Sequence, residues 1–72
     1  MHLSELTKDL RRLLLSHWTE KEINELLFQD AEYFFDQVVT PRLDYLRRLG
    51  KDIPRVRLQK SATGEFRALL LP

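Results

Sequence analysis

The hydrophobic positions of the first third of the chain follow helical spacing. Over residues 3–17 apolar residues recur three, four and seven positions apart, with charged residues opposite, which predicts an amphipathic helix. The stripe is formed by Leu3, Leu6, Leu10, Leu13, Leu14 and His17. A capping-box motif, TEKE, follows at residues 19–22. In such a motif Thr19 and Glu22 each bond the other's backbone N–H, so the motif predicts the start of a second helix.

The second predicted helix spans residues 19–39, because no Gly or Pro interrupts this segment. One apolar stripe stays in phase throughout and consists of Ile23, Leu26, Leu27, Ala31, Phe34 and Val38. A second apolar ridge lies beside it, formed by Phe28, Phe35 and Val39. We expect a helix with so wide an apolar arc to be central in the fold. The alternative is a break near Asp30, because Asp is a common N-cap.

A third short helix is predicted over residues 41–49. Thr40-Pro41 is expected to end the second helix, since the residue before proline avoids the helical region and proline suits the first position of a helix. Gly50 is expected to follow the end of this helix, because glycine readily adopts the left-handed conformation common at that position. Leu43, Leu46 and Leu49 are placed on the inner side.

The remaining residues predict a β-hairpin, with strands at about 55–60 and 65–71. A three-residue loop, Ala62-Thr63-Gly64, with Gly64 in the left-handed region is a common hairpin connection. It pairs Val56 with Leu70, Leu58 with Ala68 and Lys60 with Phe66, which collects apolar residues on one face. The other face carries Arg55, Arg57, Gln59 and Arg67, with Leu69 and Leu71 at its far end. The predicted fold is therefore α+β: three helices followed by a C-terminal hairpin packed over the central helix.

Length, composition and charge limit the kinds of fold and site that this chain can form. Seventy-two residues allow a single small domain with a marginal core, and the absence of Cys excludes disulfides and thiolate zinc sites. Net charge is only +1, but its distribution is uneven. Residues 1–40 hold four Lys or Arg against eight Asp or Glu, giving 4 − 8 = −4. Residues 41–72 give 8 − 3 = +5. Such asymmetry indicates an interaction surface.

The sequence argues against an enzyme. The two histidines, His2 and His17, lie too far apart along the chain to share a metal, and His17 is expected to be structural. The serines have no G-x-S-x-G context, and the TGE segment at residues 63–65 is not a phosphate-binding loop. We therefore expect no catalytic residues, no cofactor, no metal and no small-molecule substrate.

The basic C-terminal third favours a small regulatory or accessory protein that binds nucleic acid, with DNA as the expected form. Arginine suits phosphate oxygens and guanine edges. The predicted contact residues are Arg47, Arg48, Lys51, Arg55, Arg57 and Arg67. The order helix–helix–helix–hairpin is similar to that of winged-helix DNA-binding domains, in element order alone. A helix-turn-helix has a short turn between two short helices, and an unbroken helix over 19–39 departs from that pattern.

The alternative function is a protein–protein interaction module, either a homodimer or an adaptor or inhibitor that docks on a larger protein. The central helix carries more apolar surface than two short helices and a hairpin readily cover, and an isolated hairpin is marginally stable. The predicted interface residues are Phe28, Phe35, Leu69 and Leu71. Apolar runs are too short for a membrane span and no signal peptide is visible, so the expected location is cytoplasmic.

Overall fold

The computed structural model describes residues 1–71 and has the predicted α+β architecture, with helices followed by a two-stranded antiparallel hairpin. A 3-10 turn, Leu3–Glu5, precedes the first helix. The helices are α1 (Lys8–Leu15), α2 (Glu20–Tyr33) and α3 (Thr40–Arg48), with a π-helical segment (Phe34–Val39) joining α2 to α3. The strands are β1 (Val56–Lys60) and β2 (Phe66–Leu70).

The N-terminal segment differs from the single helix predicted over 3–17, because α1 begins only at Lys8. Thr7 has extended backbone angles, and its hydroxyl oxygen accepts from the N–H of Leu10 at 3.4 Å. Threonine caps a helix more readily than it continues one, which explains the later start. The preceding turn still contributes to the core, since its Leu3 is buried and donates its N–H to Asn24 Oδ1 of α2 at 2.8 Å.

The predicted capping box at the start of α2 is confirmed. The N–H of Glu22 donates to the Thr19 hydroxyl oxygen at 3.2 Å, and the N–H of Thr19 donates to Glu22 Oε1 at 3.1 Å. The Thr19 hydroxyl also donates to the same carboxylate oxygen at 2.8 Å. The two bonds that the carboxylate accepts, the backbone one foremost, lower the pKa of Glu22 because they favour its charged form.

Helix α2 is kinked at Asp30, which is where the alternative interpretation placed a break. Asp30 is the one residue inside α2 with non-helical angles, φ −165° and ψ 96°. Its Oδ1 accepts from the N–H of Tyr33 at 3.0 Å, three residues later. Asp30 therefore acts as an internal N-cap, and the helical axis restarts there toward α3.

The chain differs from the prediction at Thr40-Pro41, where the helix continues instead of ending. Thr40 keeps helical angles, φ −58° and ψ −49°, although a proline follows it. Its N–H and its hydroxyl (2.9 Å) both donate to the carbonyl oxygen of Phe35, five residues back. The wider π turn accommodates the proline, which lacks an N–H and would clash with a carbonyl in a regular α-helix.

The core lies between the helices and one face of the hairpin. Its buried residues are Leu3, Leu6, Leu10, Leu14, Ile23, Leu27, Phe34, Phe35, Val39, Leu43 and Ala68. Phe34 and Phe35 are consecutive and both buried, because Phe34 packs against Trp18 and Phe35 packs against Phe66. A row of aromatic rings crosses the core from Trp18 through Phe34 and Phe35 to Phe66, with successive centroids 5.7, 5.4 and 5.8 Å apart. This row joins the helices to the hairpin.

The hairpin has the predicted register. Val56 pairs with Leu70, Leu58 with Ala68, and Lys60 with Phe66. The loop is closed by the N–H of Ser61, which donates to the carbonyl oxygen of Glu65 at 2.9 Å. Because register decides which face each side chain occupies, Arg57 and Arg67 lie together on the outer face.

The hairpin loop depends on Gly64, which has φ +88°. We expect Gly64→Ala to lower the free energy of unfolding by about 1–2 kcal/mol, because a left-handed conformation strains residues with a Cβ. An added Cβ would meet no atom within 4 Å, so the cost is conformational alone. Urea denaturation followed by circular dichroism measures this loss of unfolding free energy. Ala62→Gly, which changes another residue of the same loop, is the control. An unchanged midpoint for Gly64→Ala would contradict the assigned loop geometry.

Candidate nucleic-acid interface

The structure divides the six predicted contact residues into five exposed cations and one internal arginine. Arg48, Lys51, Arg55, Arg57 and Arg67 are exposed. Within residues 1–71 only two ion pairs form, Arg47 with Asp44 and Lys60 with Glu32. The five exposed cations therefore have no carboxylate partner in the part of the chain that the structure describes.

Arg47 fastens the turn after α3 to the helix. Its Nη1 donates to Asp44 Oδ1 at 2.7 Å, and its Nε and Nη2 donate to the carbonyl oxygens of Ile53 (3.0 Å) and Pro54 (2.8 Å). Its side chain is only 19% exposed. Two of its guanidinium nitrogens thus hold the backbone that leads into β1, and the third holds α3. The contact with nucleic acid assigned to Arg47 stays a prediction, while its hydrogen bonds show a positioning role for the segment that carries Arg55 and Arg57.

A groove of about 460 Å³ separates α3 from β1. Its charged lining consists of Arg47, Arg55, Arg57 and Asp44. Its remaining lining consists of Thr40, Leu43, Val56, Leu58 and Leu71. Because Asp44 is already bound by Arg47, the groove presents two arginines to solvent without a competing carboxylate partner.

The other predicted cations do not line this groove. Arg48 is in the last turn of α3, where the helix dipole favours cations, and Lys51 follows Gly50. Gly50 has φ +89° and ends the helix as predicted. Arg67 lies diagonally across the hairpin from Arg57, since its direct partner is Gln59. The structure thus brings Arg55 and Arg57 together and leaves Arg48, Lys51 and Arg67 on adjoining elements.

Tertiary packing adds a cation that sequence reasoning missed. Arg12 of α1 is exposed and lines a second groove together with Pro54 and Leu71, which lead into and out of the hairpin. Leu71 also lines the α3–β1 groove, so the two grooves share this residue. No local pattern links Arg12 to residues more than forty positions later. Arg42, by contrast, is oriented toward Trp18, with its guanidinium carbon 5.6 Å from the ring centroid.

The four residues of the alternative interface do not form one ridge. Phe28 is 84% exposed, whereas Phe35 is fully buried, with its ring 5.4 Å from Phe34 and 5.8 Å from Phe66. Phe35 therefore belongs to the core and is not available to a partner in this fold. Leu69 is half-buried and Leu71 is 37% exposed, both on the hairpin. The kink and the π turn separate Phe28 from Phe35, which a straight helix would have aligned.

Two further features concern residues 1–71. These residues contain no cluster of three or more His, Asp or Glu side chains able to hold a metal ion. Their helices also lack the length and hydropathy that crossing a bilayer requires. His17 is half-buried with its ring edge-on to Trp18 at 5.9 Å, consistent with a packing role.

No family model, curated protein or solved structure matches this chain.

Proposed function

We propose that this protein binds nucleic acid through a surface formed by Arg55 and Arg57 of the hairpin and the C-terminal end of α3. The supporting observation is that these two arginines border one groove and are exposed, with no carboxylate partner among residues 1–71. Unpaired arginines whose backbone is held in a strand, or directly beside one, lose less freedom on binding than arginines on a mobile loop. A guanidinium group offers two parallel donors that fit phosphate oxygens.

The backbone leading into β1 is fixed before any ligand arrives. Arg47 holds the carbonyl oxygens of Ile53 and Pro54, the two residues immediately before Arg55. The N–H of Leu71 donates to the carbonyl oxygen of Arg55 at 2.8 Å, which anchors the same point from the end of β2. Arg55 therefore projects from a segment held on both sides. Such preorganisation favours a specific phosphate geometry over diffuse attraction.

Helix and hairpin would share the contact in this proposal. The exposed Arg48 and Lys51 extend the basic surface at the end of α3, and Arg67 extends it across the outer face of the hairpin. The helical kink at Asp30 brings the element order nearer to that of winged-helix domains, with DNA as the favoured form. The helical segment that follows Asp30 carries the acidic Glu32 in its first turn. We therefore assign the contact with nucleic acid to the C-terminal end of α3.

Binding to duplex should weaken steeply with salt, and Arg57→Gln should lower both the affinity and the salt dependence. Each phosphate that the variant no longer neutralises should reduce the slope of log K against log salt concentration by about 0.9 on duplex. Fluorescence anisotropy with labelled duplex and single strand at four salt concentrations measures this slope. The proposed accessory role requires no catalysis by the protein itself.

The matched control is Lys21→Gln, which also removes one exposed positive charge but lies on α2, amid the acidic half of the chain. It should leave the slope unchanged. Equal effects of the two variants would show that only net charge matters and that the arginine surface is not a site. The absence of binding to either duplex or single strand at low salt would overturn the proposal.

A further inference from the structure

The positive charge of the N-terminal half is concentrated in one groove, which α1 borders together with the N-terminal turn and the first residue of α2. Residues 1–40 contain four Lys or Arg side chains, and three of them, Lys8, Arg11 and Arg12, line this groove of about 590 Å³. Of the eight Asp or Glu side chains in the same residues, only Glu20 lines it. The remaining lining consists of His2, Leu3, Ser4, Leu15 and Ser16. The groove is therefore basic within an otherwise acidic half of the chain.

Helical spacing places these three cations side by side. Arg11 and Arg12 follow Lys8 by three and four positions, so the three side chains are neighbours on the surface of α1. Asp9, although next to Lys8 in sequence, lines the groove toward the hairpin and not this one. None of the three cations belongs to either of the two ion pairs that form within residues 1–71. The helix thus presents three positive charges to the groove without a bound carboxylate.

The placement of these cations does not serve the stability of α1. Like charges three or four residues apart repel each other on a helix surface. Lys8 is also the first residue of α1, where the positive end of the helix dipole disfavours a cation. Arg11 is half-buried, so neighbouring atoms limit its orientations before any ligand arrives. An anion in the groove would offset the repulsion and meet a partly ordered guanidinium group.

We propose that this groove binds the phosphate group of a compact ligand, such as a phosphate monoester or a diphosphate. Two guanidinium groups offer parallel N–H donors that fit phosphate oxygens, and the Lys8 ammonium group adds a third charge. His2 supplies a further donor, because its Nδ1 accepts from the N–H of Ser4 at 3.2 Å and its ring hydrogen is therefore on Nε2. The groove volume falls within the range of about 300–1,000 Å³ that is usual for small-ligand sites.

The surrounding charge favours a compact phosphate ligand over a nucleic-acid strand. The other seven carboxylates of residues 1–40 are all exposed, and Lys21 is the one further cation in this half of the chain. A long polyanion that left the groove over this half would meet mainly negative charge, whereas a small phosphate contacts the groove alone. The groove is thus separate from the proposed nucleic-acid surface, whose predicted cations all belong to residues 41–72.

Pyrophosphate is the probe, titrated at low and constant ionic strength while the backbone amide NMR signals of the protein are recorded. Signals of α1 should shift and reach saturation. Arg11→Gln should weaken this binding about tenfold, because it removes a charged donor to the phosphate oxygens. Lys8→Gln should weaken it as well, and it tests the same groove if Arg11→Gln does not fold. Glu20→Gln should strengthen the binding several-fold, because it removes the one carboxylate that lines the groove.

The matched control is Lys21→Gln, which removes the one cation of residues 1–40 that does not line the groove. It should bind pyrophosphate like the unmodified protein, and circular dichroism establishes that each variant is folded. Pyrophosphate that shifts no α1 signal, or equal weakening by Arg11→Gln and Lys21→Gln, would overturn the inference. A loss of duplex affinity in Arg11→Gln as large as that in Arg57→Gln would also overturn it, because the groove would then contact a nucleic-acid backbone.

Discussion

Replacing Phe35 with alanine is expected to lower the free energy of unfolding by about 3–5 kcal/mol. The same replacement at Phe28 should change it by less than about 0.5 kcal/mol. Both phenylalanines belong to the apolar ridge that the sequence predicts on one helix. The structure buries the first completely and leaves the second 84% exposed.

The size of the Phe35 effect follows from its position in the aromatic row. Its ring lies between Phe34 on one side and Phe66 of β2 on the other, so its removal opens a cavity where the helices meet the hairpin. Neighbouring side chains fill such a cavity only in part, which adds to the lost transfer free energy. A domain of this length has a total stability of roughly 4–11 kcal/mol. The variant therefore loses a large share of it.

Urea denaturation followed by far-ultraviolet circular dichroism measures both variants. Phe35→Leu provides an intermediate control, because it keeps most of the volume and should lose less than the alanine variant. Similar losses for Phe28→Ala and Phe35→Ala would contradict the kinked and π-helical geometry, since that geometry places the two side chains in different environments.

Local signals predicted much of the fold. The capping box at Thr19 and the end of α3 at Gly50 each depend on residues within a few positions of one another, and both are confirmed. The hairpin register depends on the alternation along two adjacent strands and on the loop between them, and it is confirmed as well. The register is well determined, because a shift by one residue would set Leu58 opposite Arg67 and mix the apolar and polar faces. Gly64 set the loop length, since its left-handed conformation fits the three-residue connection.

The path of the long helix was harder to predict because competing local preferences had similar strength. Asp30 can cap a helix or lie on its polar face, and the in-phase apolar stripe favoured the second interpretation. Pro41 normally ends a helix, but the π turn supplies the Phe35 carbonyl as an acceptor for Thr40 and makes room for the proline ring. Such a turn depends on the packing of Phe34 and Phe35 against distant residues, which local sequence does not specify.

The candidate site was predictable in composition but not in arrangement. The alternation of Arg55 and Arg57 along a strand placed them on one side, and the confirmed register adds Arg67 across the hairpin. The neighbourhood of Arg12 could not be foreseen, because it depends on how α1 packs against the end of β2. The internal hydrogen bonds of Arg47 were also not predictable. Two of its acceptors are backbone carbonyl oxygens, which every residue has, so no residue type in the sequence indicates them.

Arg47→Ala is expected to destabilise the fold by about 2–4 kcal/mol, whereas Arg48→Ala should cost less than about 0.5 kcal/mol. Both arginines are in the last turn of α3, yet only the first has internal acceptors. Removing it leaves the Ile53 and Pro54 carbonyls without their charged donor, and hydrogen bonds to charged groups exceed neutral ones in strength. Arg47→Lys should restore only part of the stability, because one ammonium group cannot reproduce the spread of three guanidinium nitrogens.

The same pair separates positioning from direct contact with nucleic acid. For a domain this small, each kcal/mol shifts the melting temperature by about 4–8 °C, so Arg47→Ala should melt well below Arg48→Ala. Below its melting transition Arg47→Ala should bind duplex more weakly, because Arg55 is no longer held, while the salt slope stays near that of the unmodified protein. Arg48→Ala should show the reverse, with normal stability and a slope reduced by about 0.9. A reduced slope for Arg47→Ala at unchanged stability would instead make Arg47 itself a phosphate contact. Its hydrogen bonds to the Ile53 and Pro54 carbonyls would then contribute little to the stability of the fold.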